Sequence, residues 1–232
     1  MLLQPGITGV SRKIGVGMEN YIGRENDLKN RLNTHLQKLT GNKQDFYSNL
    51  SQSDLIELKT VLADINNVLT LKTTIHATYW LCKYFHLTDE CKKGILSNID
   101  SNKPNANGFD IHIQCPKKII AEVKCIVPIN NGDIFGAAQR DAILDDAIKL
   151  KNGKGKLSDT SDYFKFLFLI DLDSNTDRAI SKLLQKSKGT SNLSSRANRH
   201  KIKEHIELLD DSIAYNALTI DKIYIKKMKI DF

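Results

Sequence analysis

Acidic residues are missing from one long stretch of this chain: none occurs from Ser181 to Lys203, while Lys182, Lys186, Lys188, Arg196, Arg199, Lys201 and Lys203 all fall inside it. A one-signed stretch of this kind attracts polyanions, and its distribution says more than the net charge of +7 does. Cysteine is also scarce. Cys82, Cys91, Cys115 and Cys125 show no C-x-x-C spacing and have no paired histidines nearby. That pattern excludes a zinc module and a disulfide framework, and the expectation is reduced, mostly buried thiols. No apolar run reaches the length of a membrane span, and the amino terminus, Met1-Leu2-Leu3-Gln4-Pro5-Gly6, lacks a signal-peptide layout. The chain is therefore expected to be cytoplasmic, with no membrane partner. Neither internal repeats nor an interdomain linker appears, and 232 residues suit a single domain with a real core. Residues 1–90 read as its mainly helical amino-terminal part and 91–232 as an α/β core.

Two strand-like runs dominate that core: Gly108-Phe109-Asp110-Ile111-His112-Ile113 and, after Pro116, Ile119-Ile120-Ala121-Glu122-Val123-Lys124-Cys125. Each carries charge inside core-seeking sequence, where a charge is costly unless it is paired or holds a metal. An ordinary surface hairpin would keep one face for water. Here Ile111, Ile113, Ile119, Ile120 and Val123 occupy both parities and leave no clean solvent face. Side chains alternate across a strand, so Glu122 and Lys124 share a face and Val123 points to the other. Whether Asp110 joins them depends on the turn. A connection with an odd number of residues sets Asp110 opposite Glu122 or Lys124, and a two-residue turn separates them. Pro116 lacks a ladder donor and belongs at the turn or at a bulge.

Two convergent carboxylates with a backbone carbonyl form a hard oxygen site that leaves positions for water and phosphate, which suits Mg²⁺. A lysine beside them can stabilise charge on an attacked phosphate or help position and deprotonate a water. Asp110, followed about a dozen residues later by Glu122-Val123-Lys124 on the next strand, resembles the active-site signature of the PD-(D/E)xK nuclease superfamily, to which most type II restriction endonucleases belong. Phe109 stands where that family often has proline. The resemblance implies a restriction-endonuclease-like α/β fold, a mixed central sheet flanked by helices with a helical amino-terminal portion. It further implies a single nuclease domain with Asp110, Glu122 and Lys124 as catalytic residues and Asp110, Glu122 and the Val123 carbonyl around Mg²⁺. The activity implied is sequence-specific hydrolysis of double-stranded DNA by a homodimer. A junction-resolving or repair nuclease of the same superfamily and a non-catalytic DNA-binding protein that keeps the fold are the alternatives.

Along the chain, leucines at helical spacing predict a helix near Tyr21–Leu39. Ser51 with Asp54 reads as a capping box opening a second helix that reaches about Leu71, and Thr73–Phe85 as a third, with Trp80 in the core. Gly94–Ile99 reads as a short strand, Asp100–Gly108 as a loop and Asp133–Leu150 as a helix beside the sheet. Phe164–Leu172 is expected to be a central strand covered on both faces. A helix from Ser174 to about Lys186, a basic loop over Ser187–Asn198, a helix near Lys201–Leu209 and a strand within Leu218–Ile230 complete the pattern.

Further residues attach to the resemblance. Glu57 is the best-placed acid on a helix before the hairpin, in competition with Glu90, for the upstream carboxylate common in the superfamily. His112 shares the face of Asp110 and is either a tolerated strand residue or a contact to water or phosphate. Gln139 lies in the helix after the motif, where several of these nucleases place a polar residue near the metal. For DNA, Lys182, Lys186, Lys188, Arg196, Arg199 and Lys201 form the expected footprint, with the two arginines suited to bidentate contacts.

Overall fold

A computed structural model of the chain describes the backbone of residues 11–101, 108–129, 133–171, 174–185 and 194–230. Helix α1 spans Ser11–Thr40, starting earlier than the leucine pattern predicts. Helix α2 runs unbroken over Gln52–Tyr84. The sequence pattern has two helices there, but no glycine or proline stands between them to interrupt the hydrogen-bond ladder. At its start the Ser51 N–H donates to Asp54 Oδ2 at 2.7 Å, and the Asp54 N–H donates to Ser51 Oγ at 3.2 Å. This is the reciprocal arrangement expected from the sequence, and it satisfies donors that a helix start leaves open.

The chain divides into two compact units, residues 1–62 and 63–232. In the first, the segment after α1 folds back on that helix: Asn33 donates to Asp45 at 2.8 Å and accepts from the Tyr47 N–H at 2.8 Å. In the second, α3 covers Asp89–Ser101 and replaces the strand expected over Gly94–Ile99. Cys91, Ile95 and Ile99 recur every four residues and turn one helical face inward, so the apolar period is that of a helix.

Next come β1 (Ile111–Ile113), β2 (Ile119–Lys124), α4 (Ala137–Asn152) and β3 (Phe164–Ile170), followed by α5 (Ser174–Leu184), α6 (Ser194–Ile202), β4 (Ile206–Leu208) and β5 (Ile223–Met228). The five strands form one mixed sheet in the order β1-β2-β3-β5-β4, with β1 antiparallel to β2 and the other pairings parallel. The α/β class and the mixed sheet are as expected. The helix expected over Lys201–Leu209 instead ends at Ile202, and Ile206–Leu208 pairs with Ile223–Ile225. Pairing to the edge of an existing sheet overrides a local helical preference. The last strand keeps only the centre of the stretch assigned to it.

Helices cover both faces. On one, Ala121, Val123, Phe166, Phe168 and Tyr224 pack with Ala77, Leu81 and Phe85 of the α2 segment and its end and with Ile95 of α3. On the other, Ile120, Leu167, Leu169 and Ile225 pack with Ile143, Ala147 and Leu150 of α4 and Ile180 and Leu183 of α5. Such double coverage explains why β3 reads as a nearly continuous apolar run. Trp80 stacks on Tyr84 at 4.4 Å and meets Phe166 and Phe168 edge-on, so it is a core residue. All four cysteines are free, but only Cys82 is buried; Cys91 and Cys125 are half-buried and Cys115 is exposed in the β1–β2 turn, which corrects the expectation of mostly buried thiols.

Candidate active site

The β1–β2 register decides how the motif's charges meet. Ile111 faces Ala121, His112 faces Ile120 and Ile113 faces Ile119, so the connection Gln114–Lys118 has an odd number of residues. One step further along this register, Asp110 stands opposite Glu122. Its Oδ2 accepts the Val123 N–H at 2.8 Å. The carboxylate thus takes the ladder position that β1 would have filled had it been longer, which fixes Asp110 beside β2 without extending the strand.

Glu122 is 3% exposed and points to the α4 face of the sheet. Lys154 Nζ donates to its Oε1 at 2.8 Å. Burial, reinforced by the charges of Asp110 and Asp146, pushes the Glu122 carboxyl up to about 8, and the Lys154 ammonium offsets only part of that rise. A buried carboxylate with two acidic neighbours is costly until more positive charge arrives.

Lys124, on the same face, stands 2.5 Å from Asp146 Oδ2 as an ion pair, although its angles are not those of a hydrogen bond and this oxygen has no other partner. Lys149 Nζ holds the second oxygen of Asp146 at 2.7 Å. The motif therefore gains a third acid that the sequence reading missed. That reading looked for it upstream, but it comes from α4, the helix after the motif. A signal was present, because Asp146 lies within the buried stripe Ile143, Ala147 and Leu150, where an acid has no place without a partner.

Lys154 was likewise not among the expected site residues. Its place is fixed by the turn that ends α4. Gly153 has φ +95°, and a Cβ there would lie 2.5 Å from the Leu157 carbonyl oxygen, so only glycine fits. The Lys154 N–H donates to Leu157 O at 2.8 Å and the Leu157 N–H donates back at 3.1 Å. This tight turn brings the lysine under the sheet, its Nζ 5.9 Å from the centre of the Phe109 ring, where a cation on an aromatic face is attracted.

The other expected residues are distributed differently. Gln139 accepts the Gly136 N–H at 2.8 Å and donates to Val127 O at 3.1 Å. Both ends of its amide serve the start of α4 and not the carboxylates. His112 shares the Asp110 face, with Nε2 3.4 Å from the Tyr163 hydroxyl, and desolvation lowers its pKa. Glu57 is exposed on the part of α2 that belongs to the first unit, and Glu90 is exposed at the start of α3.

Within the basic footprint, Arg199 binds both oxygens of Asp145 at 2.7 and 2.6 Å and reaches Asp141 at 2.8 Å. Its fork clamps α6 to α4. Lys182 pairs with Asp133 at 3.2 Å. Arg196 and Lys201 are exposed and make no ion pair with the described residues. Lys186 and Lys188 lie outside the described residues.

Asp110, Glu122 and the Val123 carbonyl are hard oxygen donors of the kind Mg²⁺ takes, completed by water and substrate. Among the described residues no group of three or more His, Cys, Asp or Glu side chains is placed to hold a metal ion. No helix among them is long and apolar enough to cross a membrane. Compared with known protein families, with curated proteins and with solved structures, the chain matches none.

Proposed function

We propose that this chain is an Mg²⁺-dependent endonuclease hydrolysing phosphodiester bonds of double-stranded DNA, sequence-specific in the manner of a type II restriction enzyme, with the fold of that class, cytoplasmic and homodimeric. The observation that carries the reading is the register of β1 on β2. It sets Asp110 opposite the buried Glu122, with Lys124 beside it on the same face. The donor set fits the ion, because the cost of an ionised Glu122 next to Asp110 and Asp146 is one that a divalent cation relieves. Bound there, Mg²⁺ supplies Lewis acidity at a phosphoryl oxygen and makes a bound water more acidic.

The side chains have distinct tasks. Asp110 and Glu122, with the Val123 carbonyl, hold the ion. Lys124 orients the attacking water and balances charge on the attacked phosphate. Asp146 positions Lys124 through their ion pair. Lys149 and Lys154, both within ion-pair distance of the acids, bring positive charge to the substrate's phosphates, and Lys182, Arg196 and Lys201 extend it over the surface.

Incubating the protein with plasmid and with branched DNA, in Mg²⁺ and then in EDTA, tests this. Discrete plasmid fragments that vanish in EDTA are expected. Cutting of branched substrates alone indicates a junction-resolving or repair nuclease, and binding without any cut indicates a non-catalytic DNA-binding protein. Lys124→Ala and Asp110→Ala should abolish cleavage and leave binding in place; undiminished cutting by either removes that residue from the site.

A further inference from the structure

The lysines of the site are shared unevenly among its acids. Lys124 and Lys149 both stand on Asp146, at 2.5 and 2.7 Å. Lys154, at 2.8 Å, is the one cation within ion-pair distance of Glu122 among the described residues. Glu122 is buried, and Asp110 beside it brings charge of the same sign. Without Lys154 its carboxylate would face a like charge with no counter-ion, which is costly away from water. Fully ionised, Asp110, Glu122 and Asp146 are balanced one for one by Lys124, Lys149 and Lys154 before any ion enters. A divalent cation adds a surplus to that balance, and on Glu122 it meets an ammonium already in place.

We propose that Lys154 is the resident counter-ion of Glu122 and competes with the metal for it: the lysine neutralises the carboxylate in the metal-free protein, yields it when the ion enters, and passes to a phosphate of the substrate. The inference rests on the metal site proposed above and gives a residue outside the motif control over its loading. The surroundings of Lys154 fit a side chain that changes partners. Its base is fixed, because the Gly153 turn and the paired hydrogen bonds with Leu157 at 2.8 and 3.1 Å hold the backbone, so the exchange asks only the side chain to swing. Its length is reachable from water: the Lys154 side chain is 26% exposed where that of Glu122 is 4%. A released ammonium therefore meets solvent or a phosphate without crossing the core. A second resting place lies beside it, the Phe109 ring, whose centre is 5.9 Å from Nζ and which keeps an attraction for the cation once the carboxylate is taken. Lys124 and Lys149 stay with Asp146 throughout. After the exchange the surplus positive charge is offered to the substrate, so metal binding and phosphate binding favour each other.

Acetylation of the full wild-type chain by an N-hydroxysuccinimide ester, read lysine by lysine by peptide mass spectrometry in EDTA and in Mg²⁺, tests the exchange without DNA or turnover. At about pH 8.5 Glu122 is past the value to which burial pushes it, and lysine amines still react. Lys154 should acetylate about tenfold faster in Mg²⁺ than in EDTA, and Lys149, which Asp146 retains, should change by less than about twofold. Calorimetric titration with Mg²⁺ at the same pH is the second measurement. Lys154→Met should bind the ion about tenfold more tightly than the wild type; Lys149→Met, which removes the same charge from Asp146 instead, should gain less than about threefold. Mg²⁺ that binds yet leaves Lys154 acetylation unchanged, a Lys154→Met chain that binds it no more tightly, or an equal gain from Lys149→Met overturns the exchange and leaves the metal site standing. Absence of Mg²⁺ binding by both the wild type and Lys154→Met removes the metal site, and the exchange with it.

Discussion

Replacing Glu122 by glutamine removes a titration from the interior and should flatten the pH dependence of stability of the metal-free protein. In the folded chain the Glu122 carboxyl is pushed up to about 8 from an ordinary 4.5 by burial and by Asp110 and Asp146. Below the ordinary value both folded and unfolded chains carry the proton, and burying the side chain costs nothing in charge. As pH rises from there, the unfolded chain gives up its proton and the folded chain does not. The stability contributed by the neutral acid is therefore lost progressively and is gone once pH passes about 8. The whole gap corresponds to about 5 kcal/mol at about 1.4 kcal/mol per pH unit. Relaxation of the surroundings and water entry around the ionised group bring the expected change down to about 2–3 kcal/mol. Urea unfolding in EDTA from about pH 5 to about pH 9 measures it. Wild-type stability should fall relative to Glu122→Gln by that amount, and most of the fall should lie below about pH 8. Superimposable profiles would refute the burial of an acid beside two others.

Two other outcomes follow from the same geometry. If Asp110 and Glu122 hold Mg²⁺, the ion at about a hundred times its dissociation constant should stabilise the wild type by roughly 2.7 kcal/mol in urea unfolding with and without Mg²⁺, and an Asp110→Asn/Glu122→Gln double variant should not respond. Arg199→Met should lower stability by about 1 kcal/mol, since it breaks a bidentate surface clamp, and should leave the salt dependence of DNA binding unchanged. An Arg196→Ala/Lys201→Ala variant should make the slope of log affinity against log salt shallower by about 1.8; a slope change in the Arg199 variant alone would reverse these assignments.

Much of the core was legible because it is written in short-range periodicity. Alternation placed Glu122 and Lys124 on one face, the apolar run of Phe164–Ile170 marked a strand covered on both sides, and Ser51 with Asp54 announced the start of α2. Where local signals competed, the sequence misled. Gly94–Ile99 is short enough to read as a strand until the four-residue recurrence of Cys91, Ile95 and Ile99 is weighed, and Ile206–Leu208 becomes a strand only because β5 offers it an edge. The clamp of Arg199 on Asp141 and Asp145 left no local signal, because the two acids are more than fifty residues away along the chain.

Sequence alone determined which charges sit in core-forming strands and on which side of β2 they project, since these follow from the two-residue period of an extended chain. Tertiary structure decided who meets them. The odd connection around Pro116 aligned Asp110 with Glu122, the packing of α4 on the sheet delivered Asp146 to Lys124, and the Gly153 turn returned Lys154 to Glu122. Charges buried far apart in sequence find partners only when hydrophobic faces have been brought together, because burial is what makes the pairing necessary.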